Sequence, residues 1–352
     1  MWISPETREL QYSGRIDFDD KKAPVLVYAC SSIRLVFCGT AIEVELENHR
    51  SCWKNEMGYF LDGKQGKFAL TDEAGRRSYR IAEKLKDEKH ELLLFKRMDS
   101  CHTVTFYGFG IEGENVTLYE PPEKPARRIE FFGDSVSCGE VSEALDYIGK
   151  EDPVHYGQYS NSWYSYAWMT ARKLNAEIHD TSQGGIALLD GTGWFAAPDY
   201  KGMESCYDKI EYHPDLGPVK QWDFSKFRPQ VVVIAIGQND SHPYDYIAVE
   251  PEGKEATHWK EHYFSFVKKI AEQYPKAQII LTTTILCHDK NWDLAIGEVA
   301  KRIGEKRIHH FLYTKNGCGT PGHIRIPEAE EMAEELSTYI ESLGEEIWKA
   351  EE

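Results

Sequence analysis

Long apolar runs are missing from this chain. None approaches the roughly 18 residues that a membrane-spanning helix needs. The opening segment MWISPETREL has neither the basic stretch nor the apolar one that marks a secretory leader, so a cytoplasmic protein is expected. Basic residues are also scarce: 41 lysines and arginines face 58 aspartates and glutamates, a formal net charge of −17 at pH 7. A surface of that sign repels phosphate backbones and anionic lipid, which removes nucleic acid and membranes as partners and leaves a neutral substrate unpenalised. The eight cysteines (30, 38, 52, 101, 138, 206, 287 and 318) are scattered and none forms C-x-x-C. Their spacing offers no zinc site and no dithiol redox motif; reduced, mostly buried thiols are expected.

What is present is enough for a packed core. Hydrophobic residues make up 41% of 352 positions, which fits one large domain or two ordinary ones. The texture changes part-way along. Residues 33–38 and 42–47 are short apolar or alternating runs around a Gly39-Thr40 turn, and the second alternates cleanly, as a strand with one wet face does. Residues 58–70 read as a hairpin around Asp62-Gly63. Residues 91–95, 103–107 and 116–119 continue the pattern, and many short strands with turns between them predict a β-sandwich or jelly roll. Pro121-Pro-Glu-Lys-Pro125 then interrupts, placing a boundary between an all-β accessory domain at 1–122 and a second domain at 126–352.

Beyond the prolines, strand and helix patterns alternate. Strands are predicted at 128–132, 177–180, 230–236, 278–283 and 308–313, and helices at 161–174, 258–273, 292–304 and 327–349. This βαβ series predicts a three-layer α/β/α domain with a parallel sheet. Ligand sites in such sheets lie beyond the carboxyl ends of the strands, so the chemistry is sought just after each strand.

Three motifs stand there. Gly133-Asp-Ser-Val-Ser-Cys-Gly139 follows the first strand, and Ser135 in it can sit where free backbone N–H groups favour an incipient oxyanion. Ser182-Gln-Gly-Gly-Ile186 follows the second; a glycine at 184 or 185 lets a peptide N–H approach a ligand closely. Gly237-Gln-Asn-Asp240 follows the third, where the Asn239 amide can donate to an oxyanion. A fourth element, Gly319-Thr-Pro-Gly-His323, lies between the last strand and the last helix. Its histidine can take the serine proton that a hydroxyl nucleophile must lose. His242 and His288 also follow strands and are rival bases; His309 and His310 lie on a predicted strand and suit a structural role.

The ordered set Ser, Gly, Asn, His resembles a GDSL/SGNH hydrolase. In the first domain Ser13-Gly-Arg-Ile16, the two runs around Gly39-Thr40 and Asp62-Gly63 are similar to the N-terminal jelly roll of carbohydrate esterase family two, whose members are two-domain acetyl esterases acting on xylan and related sugars. The resemblance implies Ser135 as nucleophile, an oxyanion hole from its own N–H, Gly184 or Gly185 (the latter preferred) and Asn239, and His323 as base, with no metal or other cofactor. It also implies a gap. The position three before His323, where this class carries an aspartate, is Thr320, and residues 311–326 contain no carboxylate. A Ser-His dyad with its histidine held by a backbone carbonyl is therefore expected, unless a distant acid such as Asp289 or Glu328 takes the place.

The implied function is deacetylation of acetylated carbohydrate, xylan or xylo-oligosaccharides, through an acetyl-serine. Aromatic faces stack on sugar rings, and Trp163, Trp194 and Trp292 are predicted near the catalytic edge, although most of the 9 tryptophans and 20 tyrosines belong to core and interface. A lipase or thioesterase of the same class, a sugar O-acetyltransferase and a non-catalytic carbohydrate-binding protein are the alternatives. Homo-oligomerisation is left open.

Overall fold

The computed structural model describes residues 1–349. Up to residue 119 the chain forms two antiparallel sheets packed face to face. One runs in the order Ile16–Asp17, Val25–Leu26, His102–Glu112, Ala41–Arg50, Arg77–Ala82; the other runs Thr117–Tyr119, Ser32–Gly39, Glu88–Lys96, Glu56–Leu61, Lys64–Ala69. Asp62 and Gly63 both take positive φ and close the predicted hairpin. The Gly39-Thr40 turn behaves differently. The strands on either side of it lie in opposite sheets rather than pairing, because Ile33, Leu35 and Phe37 on one and Ile42, Val44 and Leu46 on the other fill a single core between the sheets.

The second half is built on five strands: β1 (Arg127–Gly133), β2 (Ala176–Ser182), β3 (Val231–Ala235), β4 (Gln278–Thr282) and β5 (Ile308–His310). All pair in parallel in the order β2-β1-β3-β4-β5. β3 is apolar throughout because both its faces are covered. Val231 and Val233 pack with helices α2 (Tyr166–Lys173) and α5 (Ile326–Ser342), and Val232 and Ile234 pack with α3 (Lys254–Gln273) and α4 (Lys290–Ile303). The fold is an all-β sandwich followed by a three-layer α/β domain with a parallel sheet.

Several boundaries differ from the periodicity reading. The predicted helix at 161–174 is a 3-10 turn over Ser162–Tyr164, capped by Asn161, followed by α2, capped by Ser165. The last helix stops at Ser342, ahead of Gly344 at φ +91°. β5 spans three residues, not six. The cysteines are all free, but Cys52, Cys287 and Cys318 are exposed, so the expectation of mostly buried thiols holds for only half of them. Among the described residues, no helix is long and apolar enough to cross a membrane.

A buried ion pair joins the two halves. Arg15, from the sandwich, donates through Nε to Glu130 Oε1 on β1 at 3.0 Å and through Nη1 to the carbonyls of Tyr207 and Lys209. Neither side chain of the pair is exposed. Glu130 also accepts from Thr181 and Tyr274. These bonds meet most of the pair's remaining valences, as a buried charge pair requires, and the pair links the sandwich to the sheet that carries the site.

Candidate active site

Ser135 opens a one-turn helix, α1 (Ser135–Cys138), where β1 ends. Asp134 caps it by accepting the Val136 N–H at 3.0 Å, and Gly139 at φ +75° ends it. Gly133 is required at the turn because a Cβ there would stand 2.1 Å from Ser137 Oγ. The Ser135 N–H heads the helix, and no protein acceptor meets it among the described residues.

His323 Nε2 lies 2.8 Å from Ser135 Oγ. On its other side Nδ1 is 2.5 Å from Asp152 Oδ2, while the His323 backbone N–H donates to Asp152 Oδ1 at 2.9 Å. The carboxylate assigns the proton to Nδ1 and leaves Nε2 to accept from the serine. Arg325, fully buried, donates to the same Asp152 Oδ1 at 2.8 Å and to the His323 carbonyl. Burial opposes ionisation of Asp152, but the hydrogen bond and charge of His323, with Arg325 behind them, outweigh it and hold its carboxyl well below the usual carboxylate range. Burial likewise works against charge on His323; the Asp152 bond and the charges of Glu140, Asp152 and Asp134 prevail and raise it above its ordinary 6.5.

This corrects the expected dyad. A carboxylate, not a backbone carbonyl, orients His323, and it is neither Asp289 nor Glu328. Asp289 caps α4 by accepting the Asn291 N–H. Glu328 accepts from the N–H groups of Gly149 and Arg325, bracing both the loop with Asp152 and the loop with His323. Gly322 makes the meeting of those loops sterically feasible: a Cβ there would sit 2.6 Å from the Lys150 carbonyl and 2.7 Å from Asp152 Oδ1. The rival bases are engaged elsewhere. His242 Nδ1 is 2.8 Å from the Gly193 carbonyl, and His288 bridges Asp293 and the Leu286 carbonyl.

The two glycines after β2 separate. The Gly184 N–H donates to Asp99 Oδ2 at 2.7 Å and is thereby removed as an oxyanion donor. Gly185, at φ +72°, has no protein acceptor for its N–H among the described residues. Asn239 Nδ2 donates to the Ile186 carbonyl at 3.0 Å and makes a long 3.4 Å contact with Asp134. Asp240 accepts the Leu188 and Leu189 N–H groups at 2.7 and 3.1 Å and so holds the chain that follows Gly185.

The described geometry can be set beside that of other proteins. A family model described as "Carbohydrate esterase 2 N-terminal" matches residues 12–122. The cellulase/esterase CelE of Acetivibrio thermocellus is 27% identical over 94% of this chain, and this chain spans 39% of that protein's length. An acetylxylan esterase / glucomannan deacetylase of Cellvibrio japonicus is 24% identical over 97% of this chain and 90% of its own. The structure of a family two carbohydrate esterase from Clostridium thermocellum in complex with cellohexaose superposes with a TM-score of 0.79 at 27% identity, covering 97% of this chain and 100% of that one. The chain thus carries a family-two N-terminal domain and is similar over nearly its whole length to family-two carbohydrate esterases.

The three tryptophans expected near the catalytic edge diverge. Trp194 lines the pocket beside Ser135; it is 60% exposed and stacks on His242 with ring centroids 3.5 Å apart. Trp292 does not face the pocket. It is fully buried against Trp259 and donates through Nε1 to Asp245. Trp163 lies in a separate cleft at the junction with the sandwich, under the Arg172 guanidinium and against Phe60. Neither Trp163 nor Trp292 stands at the catalytic edge where the sequence reading expects it; both rings are taken up in packing instead.

The pocket over Ser135 measures about 530 Å³ and is walled from both halves of the chain. Ser51, Cys52, Trp53, Asp99 and Cys101 come from the sandwich, which is therefore part of the site and not only an accessory to it. Asp152 and these sandwich residues are what sequence reasoning missed. They sit in turns without periodicity, and no spacing rule ties them to Ser135.

Proposed function

We propose that this chain hydrolyses acetyl esters of carbohydrates through an acetyl-Ser135 intermediate. The single observation that carries the reading is the unbroken relay from Ser135 Oγ to His323 to Asp152, opening on a pocket of about 530 Å³, within the size range of small-molecule sites.

The chemistry follows from the placement. His323 Nε2 takes the Ser135 proton as Oγ attacks the acetyl carbonyl, and the Asp152 carboxylate stabilises the imidazolium that forms. The oxyanion is received by the free N–H groups of Ser135 and Gly185, with Asn239 beside them able to join by giving up its long 3.4 Å contact to Asp134. His323 then returns the proton to the sugar oxygen as the C–O bond breaks. Water repeats the sequence on the acetyl-serine, with His323 again as base, and releases acetate. Acetylated xylan, glucomannan or their oligosaccharides are the substrates this reading favours, supported by the activities for which the Cellvibrio japonicus relative is named.

The test is acetate release from nitrophenyl acetate and from an acetylated xylo-oligosaccharide by wild type, Ser135→Ala and His323→Ala. Both folded variants are expected to lose about 10³- to 10⁶-fold in kcat, and acetate to be preferred to butyrate and longer acyl groups. A wild type inert on both esters overturns the reading.

A further inference from the structure

We propose that Glu140 binds a hydroxyl of the sugar bearing the acetyl group and restricts the pocket to uncharged carbohydrate esters; this rests on the acetyl-esterase reading above. Glu140 follows the catalytic helix directly, its backbone N–H donating to the Ser135 carbonyl at 3.0 Å. Its side chain enters the pocket and has no hydrogen-bond or ion-pair partner among the described residues. Its neighbour Asp99 is fully occupied, accepting from the N–H groups of Gly184 and Cys101 and from the Gln183 amide. Both carboxylates converge on the same face of Gly184, where a Cβ would meet Asp99 Oδ2 at 2.5 Å and Glu140 Oε2 at 2.8 Å. The glycine thus leaves room for a second carboxylate that the protein itself does not use.

Partly buried polar groups without partners carry a desolvation cost and call for an explanation. Burial pushes the Glu140 carboxyl up to about 7, against the pull of His323 and with the help of Asp99, Asp152 and Asp134. In either protonation state it can bond a hydroxyl, as acceptor or as both donor and acceptor. Its side of the pocket is also the relevant one. The acetyl oxygen belongs with Ser135, Gly185 and Asn239, whereas the departing alcohol must lie at His323, which protonates it. Glu140 and His323 line the same pocket, so the sugar that leaves past His323 does so within the cavity that holds the free carboxyl. The wall around it carries Asp99, Asp134, Glu140 and Asp215, and neither lysine nor arginine is among its lining residues. A uronate carried into that field is repelled; a neutral sugar is not.

The experiment compares full-length wild type, Glu140→Gln and Glu140→Asp on three esters: nitrophenyl acetate, a neutral acetylated xylo-oligosaccharide, and one bearing a uronic acid beside the acetylated residue. Wild type is expected to show kcat/KM about tenfold or more lower on the uronate ester than on the neutral one. Above pH 7, where the carboxyl is ionised, Glu140→Gln should raise KM for the neutral oligosaccharide about tenfold, the loss of one charge-assisted hydrogen bond, with a smaller change in kcat. Its loss on nitrophenyl acetate, which has no sugar, should be several-fold smaller, and its discrimination against the uronate ester should shrink. Glu140→Asp, which keeps the charge but withdraws it, should fall between; it carries the test if the glutamine variant fails to fold. An unchanged KM, an equal loss on sugar and nitrophenyl esters, or wild-type indifference to the uronate overturns the inference while leaving the esterase reading intact. A wild type inert on every ester overturns both.

Discussion

Asp152 and His323 are 171 positions apart in the chain, yet Oδ2 of one and Nδ1 of the other stand 2.5 Å apart. The first lies in the segment between α1 and α2, the second in the loop before α5. Arg325 and Glu328 hold the two loops together from behind. The Ser135–His323 pair is therefore extended by a carboxylate from a distant part of the chain, and the consequences can be measured.

Asp152→Asn keeps the size of the side chain and removes its charge. It can present a donor to Nδ1 and so favour the wrong tautomer. We expect kcat to fall about 10²- to 10⁴-fold on any acetyl ester, with a lower unfolding temperature as well, because the buried Arg325 loses the charge it pairs with. A variant retaining wild-type kcat would show that Asp152 only supports the loop.

His323 must be neutral to accept the serine proton, and its pKa is raised above 6.5. Activity should therefore decline as the pH falls through that raised value, and kcat/KM should show an acidic limb lying above pH 6.5. Asp152 raises the histidine pKa, so removing its charge should move the limb to lower pH even as the plateau drops. A pH–rate profile of wild type and Asp152→Asn reads both effects; a limb that stays in place contradicts the assignment of the shift.

The tryptophans should separate stability from binding. Trp292 is wholly buried, and Trp292→Ala is expected to cost about 3–5 kcal/mol, lowering the unfolding temperature by roughly 10 °C. Trp194, largely exposed at the pocket, should leave unfolding within about 2 °C on change to alanine while raising KM for an acetylated oligosaccharide more than for nitrophenyl acetate. Calorimetry and steady-state kinetics on the two variants suffice.

Asp240→Ala leaves the buried N–H groups of Leu188 and Leu189 without an acceptor. The expected cost is about 2–4 kcal/mol of stability. Because that carboxylate also holds the chain following Gly185, kcat should fall along with it. An intact melting temperature would show that the loop finds another acceptor.

Much of this protein is written locally in its sequence. Apolar runs covered on both faces, such as β3, announce a parallel sheet, and alternation with turn residues announces the sandwich. Ser135, Gly185, Asn239 and His323 each follow a strand, and a parallel sheet brings its carboxyl-terminal strand ends to one edge, so their meeting follows from the element order. The structure decided what no local pattern encodes. Asp152 sits in an irregular segment, and only the packing of that segment under Gly322 brings its carboxylate to His323. Strands flanking Gly39-Thr40 went to opposite sheets because their inward faces share one core. Trp163 packs against Phe60 and Arg172, and Trp292 against Trp259, so neither ring reaches the pocket. Contacts made across long stretches of chain depend on which surfaces find each other, and that is settled by tertiary packing, not by spacing.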